Sequence, residues 1–195
     1  MVDVDRIIKR STVALARDFS TRLLACLVLI AAPIGLSKAA SWDSPFMGVF
    51  TLLGVLGIIL MGFRFPYAFL WLRRCKRALR LYPLEYRPHV IQKGENRSRY
   101  GTVFTLRIRD HQPGREPQMK AVNALERHAW PAGIGRGVWI AGDLPFGGVI
   151  VTPDSGELMV MQPEKWDKLA AERDNASSDR TARARQAGFD ALRIR

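Results

Sequence analysis

The sequence predicts a membrane α+β protein: a hairpin of two transmembrane helices, then a small antiparallel β barrel or sandwich, then a C-terminal helix and tail. Three observations predict it. Two long runs carry no Asp, Glu, Lys, Arg or His, a block of cations follows the second, and short alternating segments separated by turn residues fill the next 80 or so positions. The chain of 195 residues has room for one or two small units. An apolar content of 48% excludes a mainly disordered chain, and two cysteines exclude a disulfide-stapled scaffold.

The first apolar run is 23–37 (LLACLVLIAAPIGLS) and the second is 45–63 (PFMGVFTLLGVLGIILMGF). A helix rises about 1.5 Å per residue, so crossing about 30 Å of hydrocarbon takes roughly 20 residues. The second run nearly meets this alone and, with Arg64 extending its charge toward headgroups, gives a span over 45–72 with an interfacial end. The first reaches the required length over 19–37 if Arg22 extends outward in the same way, leaving 1–18 as an N-terminal segment. A cleaved signal peptide is the competing reading of this first span, with a small-residue site around Ser37 to Ala39.

Charge sets the orientation. Of the net +12, six charges fall within 64–80, where Arg64, Arg73, Arg74, Lys76, Arg77 and Arg80 meet no acid. The 38–44 connection is neutral, with Lys38 against Asp43. Cations are retained on the cytoplasmic side, which places both termini inside and makes 38–44 a short outer turn. Trp42 then falls at the outer boundary, and Tyr67 and Trp71 at the inner one. Phe63, Phe65, Tyr67, Phe69 and Trp71 alternate as on a strand, but a strand edge in lipid leaves backbone groups unpaired, so the expectation is helix, bent at Pro66. Ala31 with Gly35, and the Gly54 and Gly57 notch, offer close helix contact or self-association. The absence of a centrally placed ionisable group argues against a pore.

Residues 73–83 read as a basic juxtamembrane linker whose Arg73, Arg74, Lys76, Arg77 and Arg80 contact anionic lipid headgroups. The same cations would suit nucleic-acid phosphates, but their position beside a span favours lipid, so no nucleic-acid partner is expected. The β domain occupies 84–163. Its clearest strand is 103–109 (VFTLRIR), which alternates apolar and polar residues. Further strands are expected at 86–92, 119–122, 138–141, 148–152 and 158–161, with turns at 93–96, 111–114, 142–147 and 153–156 and a short helix over 122–130. The remainder, 164–195, reads as a helix to about Arg173 followed by a mobile Ser, Arg and Ala tail, in which Phe189, Leu192 and Ile194 are latent binding anchors.

Residues 136–148 (RGVWIAGDLPFGG), together with the two preceding spans and their arginine-rich flank, resemble uncharacterised small two-span membrane proteins of actinobacteria with a C-terminal cytoplasmic β domain. The resemblance covers most of 20–163. It implies a bacterial plasma-membrane protein and brings no catalytic or binding residues with it.

Chemistry-bearing motifs are sparse. Cys26 and Cys75 form neither a redox pair nor a metal cluster, and His89, His111 and His128 lack paired-ligand spacing. The glycine-rich 133–137 segment leads into a strand rather than a helix N-terminus, so it is not a phosphate loop, and Asp143 suits a turn. No cofactor, metal or catalytic residue is assigned. The expected function is a tethered interaction or structural component of a membrane assembly, with Arg136, Trp139 and Phe146 as partner contacts. A membrane-anchored enzyme using Asp143, His128 or Glu126, and an accessory subunit of a transporter, are the alternatives.

Overall fold

A computed structural model of the chain describes residues 3–40, 45–98, 101–108, 117–125, 130–190 and 194, with side chains at 37–40, 45–47, 97–98 and 101 left undescribed. Trp42, the 111–114 turn with His111, Glu126, His128 and Leu192 lie outside the described residues. Two compact units emerge: Thr12–Phe69, and Met1–Ser11 together with Leu70–Arg195.

Two long helices supply the first unit. Helix α1 is Val4–Ala40 and helix α2 is Pro45–Leu81. Both run further than the apolar stretches require. The segment expected as an N-terminal extension is already helical from Val4, where the Asp3 carboxylate caps the first turn by accepting the Arg6 backbone N–H at 3.0 Å. The expected basic linker is helix too, and α2 continues through Pro66.

Contacts within Thr12–Phe69 define an antiparallel pair. The Phe19 and Phe65 rings lie 4.3 Å apart, a Cβ on Gly57 would stand 2.6 Å from Cys26 Sγ, and one on Gly54 would stand 2.7 Å from Ile30 Cγ1. Each contact joins residues whose numbers sum to 83 or 84, as a hairpin of two straight helices requires. The Gly54 and Gly57 notch is therefore used, with Cys26 seated against it. Gly35 has nothing within 4 Å of a Cβ position and Ala31 is exposed, so the expected small-residue pair on α1 does not form the seam.

The second unit is built on one antiparallel sheet. Its strands are β1 (Glu85–Arg87), β2 (Val90–Ser98), β3 (Gly101–Ile108), β4 (Gln118–Asn123), β5 (Val138–Asp143), β6 (Gly147–Val151) and β7 (Leu158–Pro163), in the order β1-β5-β6-β7-β4-β3-β2. The result is a curled half-barrel, neither a closed barrel nor a two-sheet sandwich. The expected single strand at 86–92 is divided at Pro88, and its first part pairs with β5, at the opposite edge from its second. The turn expected at 93–96 lies inside β2, where the register shifts between Gln92 and Gly94. Three-residue β1 is too short to close against nine-residue β2. The gap is instead filled by the 3-10 turn Ile134–Arg136, which touches β2 and whose Arg136 carbonyl accepts the Tyr86 hydroxyl at 2.9 Å.

Register fixes two apolar faces. Phe104, Ala121 and Met161 align across β3, β4 and β7 on the concave face, joined by Leu106, Ile108, Met119, Ile140, Ile150 and Met159. Ile134 and Trp130 complete this core, Trp130 meeting Phe104 edge-on at 5.0 Å. On the other face Val103, Val122, Val160, Val149 and Ala141 align and are also buried. Both faces of the central strands are covered, which is why β6 and β7 read as continuous apolar runs. The helix expected over 122–130 starts instead as strand and turn. Asn123 is buried, accepts the Leu125 N–H at 2.9 Å and donates to Glu157 at 3.0 Å, a side-chain turn that competes with helix.

The C-terminal region corrects the mobile-tail expectation. A 3-10 turn (Trp166–Leu169) leads into α3 (Ala170–Asp174), and α4 spans Ser178–Ala187. Ser177 caps α4, and Gly188, at φ 80°, ends it: the Phe189 N–H donates to the Ala184 carbonyl and the Gly188 N–H to Arg185. Phe189 and Ile194 are buried, and Gln162 donates to the Ile194 carbonyl at 3.1 Å. These anchors are occupied within the chain.

Phe104 has no exposed surface, so Phe104→Ala should cost about 3–5 kcal/mol. Denaturant unfolding of the detergent-solubilised chain, followed by tryptophan fluorescence, checks this; a loss under about 1 kcal/mol contradicts the core assignment.

Candidate functional site

The last turns of α2 are two-sided. Trp71, Leu72, Cys75, Ala78, Leu79 and Tyr82 are buried, recurring every three or four residues as one helical face. At about 100° per residue, Arg73, Lys76, Arg77 and Arg80 fall within an arc of roughly 100° on the opposite side. All four are exposed, and among the described residues none makes an ion pair. Arg74 departs from the expected headgroup set: it is half-buried, lies 6.0 Å from the Trp71 ring, and has its Nε 3.5 Å from where a Gly188 Cβ would be. The C-terminal segment occupies the place where lipid contact was expected.

The first turns of α1 show the same division. Ile8 and Ser11 are buried, while Arg6, Lys9 and Arg10 are exposed and unpaired among the described residues. These three cations were not singled out from the sequence, because Asp3 and Asp5 dilute the local charge. Their signal is spacing: cations at i, i+3 and i+4 share a helix face.

Around Tyr82 a polar clasp holds the C-terminal helix. Arg180 donates to both Asp143 oxygens, at 2.9 and 2.8 Å, a bidentate pair that raises the Arg180 pKa chiefly through this hydrogen bonding. Asp143 is thereby engaged with α4. The Tyr82 ring lies 6.0 Å from Phe189 and 5.7 Å from the Arg183 guanidinium, and its hydroxyl is buried without a hydrogen bond among the described residues. Burial, seconded by the Asp143 charge, pushes the Tyr82 phenol up to about 12. Nearby, Arg173 donates to the carbonyls of Pro145 and Trp166 and stacks 3.9 Å over the Trp166 ring.

The three expected partner contacts are not equivalent. Phe146 is buried beneath the β5–β6 turn, where its N–H donates to the Asp143 carbonyl, and presents no contact surface. Trp139 is half-buried and tilts against Tyr86 at 5.2 Å. Arg136 is exposed and pairs with Asp154. The glycine-rich segment before it forms the 3-10 turn Ile134–Arg136 and leads into β5. Cys26 lies in the helix seam and Cys75 in the buried face of α2. His89 is exposed, and among the described residues no three His, Cys, Asp or Glu side chains group as metal ligands.

Comparison with protein-family models, curated proteins and solved structures yields no match.

The pH response of Tyr82 follows from its raised phenol. Its contribution to stability is intact below the ordinary value of 10.0 and is lost as pH rises from there toward about 12. Tyr82→Phe should change stability at pH 7 by less than about 1 kcal/mol, because the hydroxyl has no partner, and should flatten the alkaline decline. Unfolding curves at pH 8 to 11.5 check this; equal alkaline slopes in both proteins contradict it.

Proposed function

We propose that the chain is a two-span plasma-membrane protein that displays its sheet unit at the cytoplasmic surface, as a tethered interaction or structural component of a membrane assembly. The observation that carries this reading is exposure. In each long helix the most apolar window is only 6% buried, so neither behaves as the core helix of a water-soluble fold. Leu24, Leu27, Val28 and Ile34 on α1, and Val49, Leu52, Leu56, Ile59 and Phe63 on α2, face outward. Lipid tails solvate such surfaces and water does not.

Connectivity supports the hairpin topology. Met1–Ser11 and Leu70–Arg195 belong to one compact unit, so the chain leaves that unit through α1 and re-enters it through α2. Both helix ends attached to it then lie on one side of the membrane. Exposed Arg73, Lys76, Arg77 and Arg80 support a cytoplasmic position for that side and would offer anionic headgroups about 1 kcal/mol per cation near the surface. Arg22 and Asp18, paired at 3.1 Å on α1, offset each other at the inner boundary. Tethering raises the effective concentration of the sheet unit toward other membrane-bound partners without any catalytic group.

The full chain should remain in the membrane pellet after carbonate washing, and reporters fused at residue 1 or residue 195 should both be active only in the cytoplasm. Quantitative release by carbonate, or a C-terminal reporter active outside the cell, contradicts the proposal.

A further inference from the structure

We infer that the first turns of α1 and the last turns of α2 form a single cationic collar that holds anionic phospholipid headgroups against both helices. The inference rests on the bilayer-spanning reading above and extends it, since that reading needs only the cations of α2. The sequence of the collar is repeated: Arg6-Ile-Ile-Lys9-Arg10 on α1 and Arg73-Arg-Cys-Lys76-Arg77 on α2 share the pattern Arg-x-x-Lys-Arg. In each, all three cations are exposed and lie opposite a buried stripe, Ile8 and Ser11 on α1, Leu72 and Cys75 on α2.

The two motifs also stand at matching distances from the last exposed apolar side chain of their helices. The last large exposed apolar residue before the first motif is Val13, and before the second Leu70. Arg10 and Arg73 each follow by three residues, about 4.5 Å along the helix, and Arg6 and Arg77 by seven, about 10.5 Å. Counted from the edge marked by Arg22 and Arg64, Val13 and Leu70 fall in the interfacial zone, and Arg10 and Arg73 stand at its aqueous rim, from which long basic side chains reach back toward the phosphates. Ile8, Ser11, Leu72 and Cys75 are all buried. Both motifs belong to one compact unit. Guanidinium and ammonium groups at matching distances from that apolar edge, on the outward faces of two helices, match several lipid phosphates in one leaflet, with Arg supplying two-pronged hydrogen bonds.

The test uses the full chain reconstituted in phosphatidylcholine vesicles containing a minority of spin-labelled phosphatidylglycerol, and reads the preference of protein-associated lipid for phosphatidylglycerol over phosphatidylcholine. Three variants are compared: Arg6→Gln with Lys9→Gln and Arg10→Gln; Arg73→Gln with Lys76→Gln and Arg77→Gln; and all six. All substituted side chains are exposed, and unchanged near-ultraviolet dichroism confirms an intact sheet unit. Each triple should lower the preference at least about threefold, the sextuple should leave only the share that Arg80 supplies, and high salt should abolish it in the native chain. If the α1 triple leaves the preference unchanged while the α2 triple removes it, the collar is wrong and the spanning reading stands. Failure of the native chain to enter the bilayer overturns both. A preference unaffected by any variant, or abolished by inorganic phosphate at moderate ionic strength, overturns the collar.

Discussion

The structure depends on where its exposed apolar helix surface can be solvated. Burying one Leu, Ile, Val or Phe side chain is worth about 1.5–3 kcal/mol, and α1 and α2 leave more than a dozen such side chains outward. Soluble monomers rarely expose continuous apolar patches of this extent. A hydrocarbon environment removes the conflict, and the remaining features are consistent with it. The seam between the helices is close where Gly54 and Gly57 admit Cys26 and Ile30, and Phe19 packs against Phe65 further along it.

The sheet unit solves a different problem, the small core available to fewer than 100 residues of β structure. Its concave face is filled by Phe104, Leu106 and the methionines 119, 159 and 161, and a 3-10 turn rather than a strand pair bridges the open edges. Its second face is covered as well, and the unit recruits helical ends for its core: Ile8 from α1, the Trp71 to Tyr82 face of α2, and Ala184, Ala187 and Phe189 at the end of α4. Arg180 and Asp143 set the position of α4, while Tyr82 stays buried and neutral beside them.

Much of the architecture was legible from single residues. The uncharged runs marked both helices, and the alternation of 103–109 marked β3. Gly142 to Gly147 and Pro153 to Gly156 located two turns that the structure contains: Phe146 donates to the Asp143 carbonyl in the first, and Gly156 to the Thr152 carbonyl in the second. What was missed depended on tertiary context. Pro88 divides one apparent strand between opposite sheet edges, which no local pattern reveals. Helix α4 is strongly polar and buries only Ala184 and Ala187, so periodicity was silent; Ser177 and Gly188 cap it in the structure. At the candidate site, the cation stripe of α2 was legible, but Arg74 was counted with it although at about 100° per residue it falls outside the arc of the other four, toward the buried face near Gly188. Phe146 was read as a contact for a similar reason: an aromatic in a turn is buried or exposed according to what lies beneath it.

The most direct test of the bilayer account is a spin-label accessibility scan along the outward positions of α2, at Val49, Leu52, Leu56, Ile59 and Phe63, in reconstituted vesicles. The account predicts high accessibility to molecular oxygen and low accessibility to a water-soluble nickel chelate, with the contrast greatest at Leu56. Greater accessibility to the chelate than to oxygen at Leu52 to Ile59 would contradict it.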